Sequence, residues 1–269
     1  MSEVEDPAYK VVNASGFLFQ LKVEHELRTQ VISPGSIWHI VGREHRWVHP
    51  QSGAEGYIDL ILDTGTIVLV IECKRVTDGM WVFLSAEGSS PMKRARLLWT
   101  YHKEGSKPVS DWGDFTIHPP SPEAMFCVAR GHGEGDTPMM ERIASGLMLA
   151  TEALAEEELR IRQVSDLPKP RAYIPIIVTN AELRVCKYDL AEVDLGTGRI
   201  ETASSESAPL VRFRKSLSSG IGQRVPSHTL KETSQENERT VFVMSSTSLS
   251  ALFKELEVPC TGSWPWSSV

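Results

Sequence analysis

Cysteine is scarce in this sequence, and its spacing argues against two kinds of stabilising site. The 269 residues contain four cysteines, at positions 73, 127, 186 and 260, and no two of them form a CxxC pair. None belongs to a Cys/His cluster with zinc spacing. A disulfide framework and a structural zinc site are therefore not expected. We predict reduced, mostly buried thiols in a cytoplasmic protein.

Long hydrophobic runs are also missing. No apolar run approaches about 18 residues, the length that a membrane-spanning helix requires. The first residues, MSEVEDPAYK, are acidic and polar, which is unlike a signal peptide. We therefore expect no contact with a membrane.

Positive charge is in deficit, with 28 basic against 35 acidic residues and a net charge of −7. A protein that coats nucleic acid is normally basic, so any contact with DNA or RNA requires a local basic face. Apolar residues make up 41% of the chain, enough for a full core. We predict one domain over 1–269, with a core at about 12–190, a C-terminal extension at about 191–269 and a polar loop at 218–238.

Hydrophobic periodicity predicts an alternation of helices and strands after a loose lead-in over residues 1–13. The predicted helices cover 15–29, a segment starting near Pro91, 139–163 and about 248–256. The predicted strands lie within 36–49, 57–74, 123–130, 173–189, 210–217 and 239–246. This order favours an α/β fold with a mixed β-sheet flanked by helices and extended by C-terminal strands.

The segment YIDLILDTGTIVLVIECKR, residues 57–75, places charged groups at the ends of two apolar strands. DTGT at 63–66 predicts a tight turn with Thr64 and Gly65 at its tip. Pairing Asp63 with Thr66 would set Asp59 opposite Val70. Side chains alternate along a strand, so Glu72 and Lys74 share the face of Val70 and Asp59.

Two carboxylates this close repel each other unless a positive charge lies between them, and burial raises that cost. Mg²⁺ typically binds one or two carboxylates together with water and substrate phosphate. Lys74 could orient an attacking water or stabilise negative charge on phosphorus. Asp59, Glu72 and Lys74 thus fit metal-assisted phosphodiester hydrolysis. A structural salt bridge to Lys74 is the simpler interpretation, but it leaves one carboxylate without a partner.

The stretches GYIDLIL and VLVIECKR resemble the core signature of the PD-(D/E)xK nuclease superfamily, which has the restriction-endonuclease-like fold. The acidic position matches Asp59, and the Glu-x-Lys matches Glu72, Cys73 and Lys74. In the upstream segment VEHEL, Glu24 matches the acid that a helix often supplies in that superfamily. The resemblance covers roughly residues 12–103.

The resemblance implies a Mg²⁺-dependent DNA endonuclease, in which Mn²⁺ would substitute, acting in prokaryotic defence or DNA processing. Asp59, Glu72 and the backbone carbonyl of Cys73 would bind the metal. Lys74 would position the attacking water, and Glu24 would bind a second metal or a metal-bound water. A homodimer, or a protein partner that targets or triggers the enzyme, is compatible with it.

Two basic clusters are candidates for nucleic-acid contact. The family often has a Gln in the helix after the motif, whereas this chain has Lys93, Arg94 and Arg96 there. These residues would either contact phosphates or form a solvated helix face. Arg212 and Arg214 alternate onto one face of a predicted strand, where they would meet a nucleic-acid backbone or protect a sheet edge.

Three other interpretations of the same residues stay open. The chain could be a non-catalytic nucleic-acid-binding or scaffolding subunit with this fold, although its Asp, Glu and Lys are all retained. An RNase with the same metal centre is the second. A glycosidase using Asp59 and Glu72 leaves Lys74 without a role. The loop RGHGEGD at 130–136 lacks the Lys-Ser/Thr of a phosphate-binding loop, and we predict a surface loop there.

Overall fold

A computed structural model describes residues 6–32, 36–77, 79–102, 107–129, 139–162, 170–217 and 229–259. The predicted loop at 130–136, Cys260 and residues 218–228 of the predicted polar loop lie outside these ranges. Within them, no helix is both long and apolar enough to cross a membrane.

The described residues form five α-helices and thirteen strands. The helices are α1 (Pro7–Ala14), α2 (Phe17–Glu26), α3 (Met139–Arg162), α4 (Leu230–Glu236) and α5 (Leu249–Glu255). A π-helical turn, Leu27–Val31, continues α2. The strands are β1 (His39–Val48), β2 (Glu55–Asp63), β3 (Ile67–Lys74), β4 (Met80–Ala86), β5 (Met92–Tyr101), β6 (Val109–Ser121), β7 (Glu123–Ala124), β8 (Phe126–Ala129), β9 (Arg171–Thr179), β10 (Glu182–Tyr188), β11 (Ser204–Ser207), β12 (Leu210–Ser216) and β13 (Glu238–Ser245).

Nine of these strands form one large mixed sheet in the order β1-β2-β3-β9-β13-β12-β7, with β5 attached to β9 and β6 to β5. β1, β2 and β3 are an antiparallel meander, whereas β9 is parallel to β3 and β13 is parallel to β9. The predicted α/β architecture with a mixed sheet and flanking helices is confirmed. The C-terminal strands do more than extend it, because β13 lies between β9 and β12.

A second sheet of four strands has the order β11-β10-β4-β8. The sequence patterns did not predict it, since they do not reveal which strands share a sheet. β4 and β10 are parallel, as are β3 and β9. The chain therefore passes from the large sheet to the small one along two neighbouring parallel paths, from β3 to β4 and from β9 to β10, and once more from β7 to β8.

Helices cover both faces of the large sheet. Apolar residues of α3 pack on one face together with residues of the small sheet, among them Leu147, Trp81 and Phe83. α2, its π-helical turn and α5 cover the other face, which includes Leu60 and Ile71. β3 and β9 are buried over nearly their whole length, as expected for strands with both faces covered.

The helix predicted to begin near Pro91 is wrong, because residues Met92–Tyr101 form β5. Arg, Leu and Lys are good helix formers, which made the segment look helical. β5 instead pairs with β6 along most of its length. It also pairs with β9, where Leu98 lies opposite Tyr173. Ala95, Leu97 and Trp99 alternate into one core, a period of two that tertiary pairing enforces.

Two segments predicted to be irregular contain helices. In the lead-in, α1 begins at Pro7, and Asp6 accepts a hydrogen bond from the Ala8 N–H as its N-cap. In the second half of the predicted polar loop, α4 follows a capping box formed by Thr229 and Glu232. These helices are only eight and seven residues long, which is too short for the repeated apolar spacing by which sequence analysis finds helices.

Candidate functional site

The β2–β3 hairpin has a different register from the predicted one. Thr64 and Ile67 close the turn, so its tip is Gly65–Thr66, and Gly65 has a φ of +90°. A glycine at the first tip position suits a type II′ turn, whereas the prediction put it second. The ladder runs from Asp63–Val68 to Leu60–Ile71. Continued by one position, it sets Asp59 opposite Glu72 instead of Val70.

Asp59 lies where the two strands separate. Beyond Leu60–Ile71 the ladder ends, and Asp59 Oδ2 accepts a hydrogen bond of 2.6 Å from the Cys73 N–H. The carboxylate therefore occupies a position that a strand carbonyl would otherwise take. Since the N–H and C=O of one strand residue point the same way, the Cys73 carbonyl also faces this opening.

The surroundings of Asp59 disfavour its charged form. Burial is the main cause that raises the pKa of Asp59 to about 7, and the negative charges of Glu72 and Glu44 add to it. The Cys73 N–H and the charge of Lys74 act in the opposite direction but are weaker. Among the described residues, no ion pair involves Asp59.

The Cys73 thiol is not a reactive group. It is buried in the core beneath α2, on the sheet face opposite to that of Val70. Burial, followed by the charges of Asp59 and Glu72, raises its pKa far above the ordinary thiol value. Only the backbone of Cys73 is available to the site.

Glu72 and Lys74 lie together on the α3 side of the sheet. Lys74 Nζ is 2.7 Å from Glu72 Oε1, and both side chains are partly exposed. They line an open pocket of about 280 Å³ to which α3 contributes Arg142 and β2 contributes Tyr57. The helix that follows the motif in the chain is thus α3, and it places an arginine beside the Glu-x-Lys.

Glu24 is buried on α2 and is held by two arginines. Its Oε1 is 2.7 Å from Arg28 Nε and 3.0 Å from Arg43 Nε. It is not among the charges that shift the pKa of Asp59. The structure therefore brings together Asp59, Glu72 and Lys74, and it places Glu24 in an ion-pair cluster between α2 and β1.

Glu44 is an acid near the site that sequence analysis missed. In the β1–β2 register Arg43 pairs with Leu60 and His45 with Ile58, so Glu44 lies opposite Asp59. Glu44 has a φ of +45°, which is rare for a residue other than Gly, Asn or Asp. Gln20 of α2 donates to its carboxylate. A strand pattern gives no sign of such a left-handed residue.

The predicted basic cluster lies apart from this pocket. Lys93 and Arg94 are exposed on β5, and neither lines the pocket of Glu72 and Lys74. The Arg96 N–H donates to Thr240 of β13, and its guanidinium is 3.6 Å from Asp114.

The second predicted arginine pair is structural. Arg212 is fully buried on β12, which lies between β13 and β7 and is not an edge strand. Its guanidinium donates to the carbonyls of Ile117 and Pro119 and to Ser121. Arg214 Nε donates to Glu238 at 2.8 Å.

The site borders the seam between the two sheets. After Lys74 the chain crosses toward β4 through residues 75–79, while β9 reaches β10 through residues 180–181 alone. Asn180, in the β9–β10 connection, is hydrogen-bonded to Val76 in the β3–β4 connection. It accepts from the Val76 N–H at 2.7 Å and donates to the Val76 carbonyl at 2.9 Å. The strand end that bears Lys74 is thereby fixed to the β9–β10 turn.

The donor chemistry of the site matches a hard divalent cation. Asp59 and Glu72 supply carboxylates and Cys73 supplies a carbonyl, which is the oxygen-rich set that Mg²⁺ binds together with water. Across the described residues, no three His, Cys, Asp or Glu side chains are already grouped to hold a metal ion. Comparisons with protein-family models, with curated proteins and with solved structures find no match for this chain.

Proposed function

We propose that this chain is a Mg²⁺-dependent endonuclease that hydrolyses phosphodiester bonds in DNA. The observation that carries the proposal is the approach of Asp59 to Glu72 where the β2–β3 ladder ends, with Lys74 2.7 Å from Glu72. Asp59 is partly buried, and its pKa is raised by burial and then by the charge of Glu72, so its own negative charge lacks compensation. A cation between the two carboxylates would supply that compensation.

The arrangement of elements supports the same proposal. α2 precedes the antiparallel meander of β1, β2 and β3, and α3 precedes β9, which is parallel to β3. The helix and strand order expected from the PD-(D/E)xK resemblance therefore has counterparts here. The correspondence runs through α3 and β9, beyond the predicted range of 12–103.

Each residue has a distinct role in the proposed reaction. Asp59, Glu72 and the Cys73 carbonyl would hold Mg²⁺, which supplies charge neutralisation at the scissile phosphate and an activated water. The ammonium of Lys74, which contacts Glu72, would orient the attacking water. Arg142, on the opposite wall, is placed to contact a phosphate oxygen.

One observation favours a different class, a non-catalytic subunit. Glu72 contacts Lys74 directly, and Glu24 is fully engaged by Arg28 and Arg43. A charge-paired set of this kind is also what a purely structural cluster would contain. The unpaired Asp59 weighs against that alternative.

A cleavage assay with matched variants tests the proposal. Purified protein is mixed with supercoiled plasmid, single-stranded DNA and RNA, in Mg²⁺, Mn²⁺ or EDTA. Glu72→Gln and Lys74→Met are compared with Glu206→Gln and Lys187→Met, which alter an ion pair of the same 2.7 Å length in the small sheet. We expect metal-dependent DNA cutting that only the first two changes reduce, by at least about a hundredfold.

Three results would contradict this expectation. Equal cutting by all four variants would identify a contaminant. No cutting, combined with no Mg²⁺ binding by calorimetry, would favour the non-catalytic subunit. Faster cutting of RNA than of any DNA would replace DNA by RNA as the substrate.

A further inference from the structure

The pocket beside Glu72 and Lys74 has two chemically different halves. Glu72, Lys74 and Arg142 form a charged side, on which two cations accompany one carboxylate. The other side is apolar and aromatic, with Trp47 and Gly56 facing residues of α3. A phosphate fits the first half, and a flat, weakly polar group fits the second. A nucleotide combines both chemistries.

Gly146 keeps the α3 wall of this pocket open. It lies in the middle of a 24-residue helix, where glycine is disfavoured relative to alanine. No packing contact explains its presence, because a Cβ built at Gly146 meets no atom within 4 Å. Gly146 lines the pocket, so the space that a side chain would fill is open to a ligand.

The size of the pocket limits what can enter it. Its volume of about 280 Å³ lies just below the range of about 300–1,000 Å³ that is typical of small-molecule sites. That space suits a single nucleotide and not a segment of double helix. A base inside a duplex is stacked and paired, so it would have to be extruded at an energetic cost before entering.

The aromatic side chain on this pocket is suited to stacking. Trp47 of β1 lines the pocket, and its partner Gly56 has no side chain that would cover the indole ring. Bases stack on such rings with little regard to sequence, and this is a common basis for binding single strands. Arg142 is exposed, and it lies on the same pocket as Lys74.

We infer that this pocket receives the base of an unpaired nucleotide next to the scissile phosphate, so that the chain cuts single-stranded DNA in preference to duplex. The inference rests on the proposed nuclease function and names its substrate class. The base lies between Trp47 and the α3 wall at Gly146, and its phosphate lies between Lys74 and Arg142.

A series of strands, each lacking one base, tests which base position the pocket binds. Single-stranded DNA of fixed sequence is prepared with one abasic residue at successive positions, and cleavage by the wild-type protein is measured in Mg²⁺ beside the intact strand and its duplex. We expect the intact strand to be cut at least about tenfold faster than the duplex. We also expect a loss of about tenfold or more only when the missing base adjoins the cut. Equal cutting of strand and duplex, or a flat scan, would overturn the inference.

Variants that spare the hydrolytic residues provide the second test. Gly146→Leu would fill the pocket, and because leucine favours helix more than glycine does, its melting temperature should not fall. Gly16→Leu is the matched control, since a Cβ at Gly16 also meets no atom within 4 Å and Gly16 does not line the pocket. We expect Gly146→Leu to bind single-stranded DNA in EDTA about tenfold more weakly than wild type, while Gly16→Leu binds like wild type.

Failure of the inference differs from failure of the proposed function. If wild type cuts neither strand nor duplex in any metal, the nuclease proposal fails. If it cuts both equally and Gly146→Leu retains full binding and cutting, the nuclease stands and the nucleotide pocket is wrong.

Discussion

At the scale of single residues, sequence analysis predicted the correct partners but not their exact pairing. Alternation placed Asp59 and Glu72 on one face, and a register difference of two positions preserves that face. The position of Gly65 in the turn determines which residue opposes Asp59, and a pattern of residue types does not fix it. Glu44 was not predicted as a site residue, because the residue pattern of a strand does not indicate a left-handed backbone conformation.

Asp59 should make stability depend on pH. Its folded-state pKa of about 7 exceeds the ordinary value of 3.8, so the fold favours the protonated form. This contribution is complete below about pH 4 and is lost as the pH rises through about 7. Asp59→Asn keeps an acceptor for the Cys73 N–H and removes the charge. We expect it to be more stable than wild type by about 1–3 kcal/mol near pH 8, with little difference near pH 4.

Urea unfolding at the two pH values measures this effect. Asp194→Asn is a control, because the pKa of Asp194 is lowered by its hydrogen bonds to Thr197 and the residue is exposed. A pH profile of Asp59→Asn that is parallel to that of wild type would mean that Asp59 does not titrate near neutrality.

Adding Mg²⁺ should offset the loss of folding stability that the Asp59 charge causes. If Mg²⁺ binds between Asp59 and Glu72, wild type near pH 8 should gain about 2.7 kcal/mol of unfolding free energy at a concentration 100 times the Kd. Asp59→Asn and Glu72→Gln should gain much less, and EDTA should abolish the gain. Equal stabilisation of wild type and both variants by Mg²⁺ would place the bound metal elsewhere.

At the scale of elements, the buried strands β3 and β9 were predictable, whereas β4 and β5 were not. β3 and β9 were predicted from their length and composition, and α3 was predicted from its apolar spacing. β5 was mistaken for a helix because its lysine and arginines are good helix formers, and only pairing with β6 decides its conformation. β12 was recognised as a strand, but its interior position determines that Arg212 is buried.

Arg212 should be essential for joining β12 to β6. It donates to two backbone carbonyls near the end of β6, and its guanidinium lies 5.0 Å from the Phe242 ring centroid. Arg212→Met would leave those buried carbonyls without their donor, and we expect a loss of about 3 kcal/mol or more in urea unfolding. Arg46→Met, which breaks an exposed pair with Glu55, should cost less than about 1 kcal/mol. Similar losses for the two variants would contradict this account of Arg212.

At the scale of the whole molecule, composition indicated an α/β protein with a full core, and the two-sheet arrangement added what composition could not. The net charge of −7 accompanies a pocket with two cations, Lys74 and Arg142. Attraction to nucleic acid is therefore local, and the remaining surface opposes it.

This charge distribution predicts a weak salt dependence of DNA binding. Fluorescence anisotropy of a labelled single strand in EDTA should give a plot of log K against log salt with a slope of about −1 to −2, because few phosphates are neutralised. Lys74→Met should make the slope shallower by about one, whereas Lys187→Met should leave it unchanged. A slope steeper than about −4 would reveal a larger basic surface than the pocket provides.

The hydrogen bonds of Asn180 to Val76 set the order in which the site can be assembled. These two residues are 104 positions apart, and β9, the parallel partner of β3, ends just before Asn180. During synthesis, every proposed ligand of the metal leaves the ribosome well before that strand. A nascent chain that ends within α3 therefore carries Asp59, Glu72 and Lys74 without the partner strand that holds them in position. The strand edge that carries these three residues is therefore completed late in synthesis.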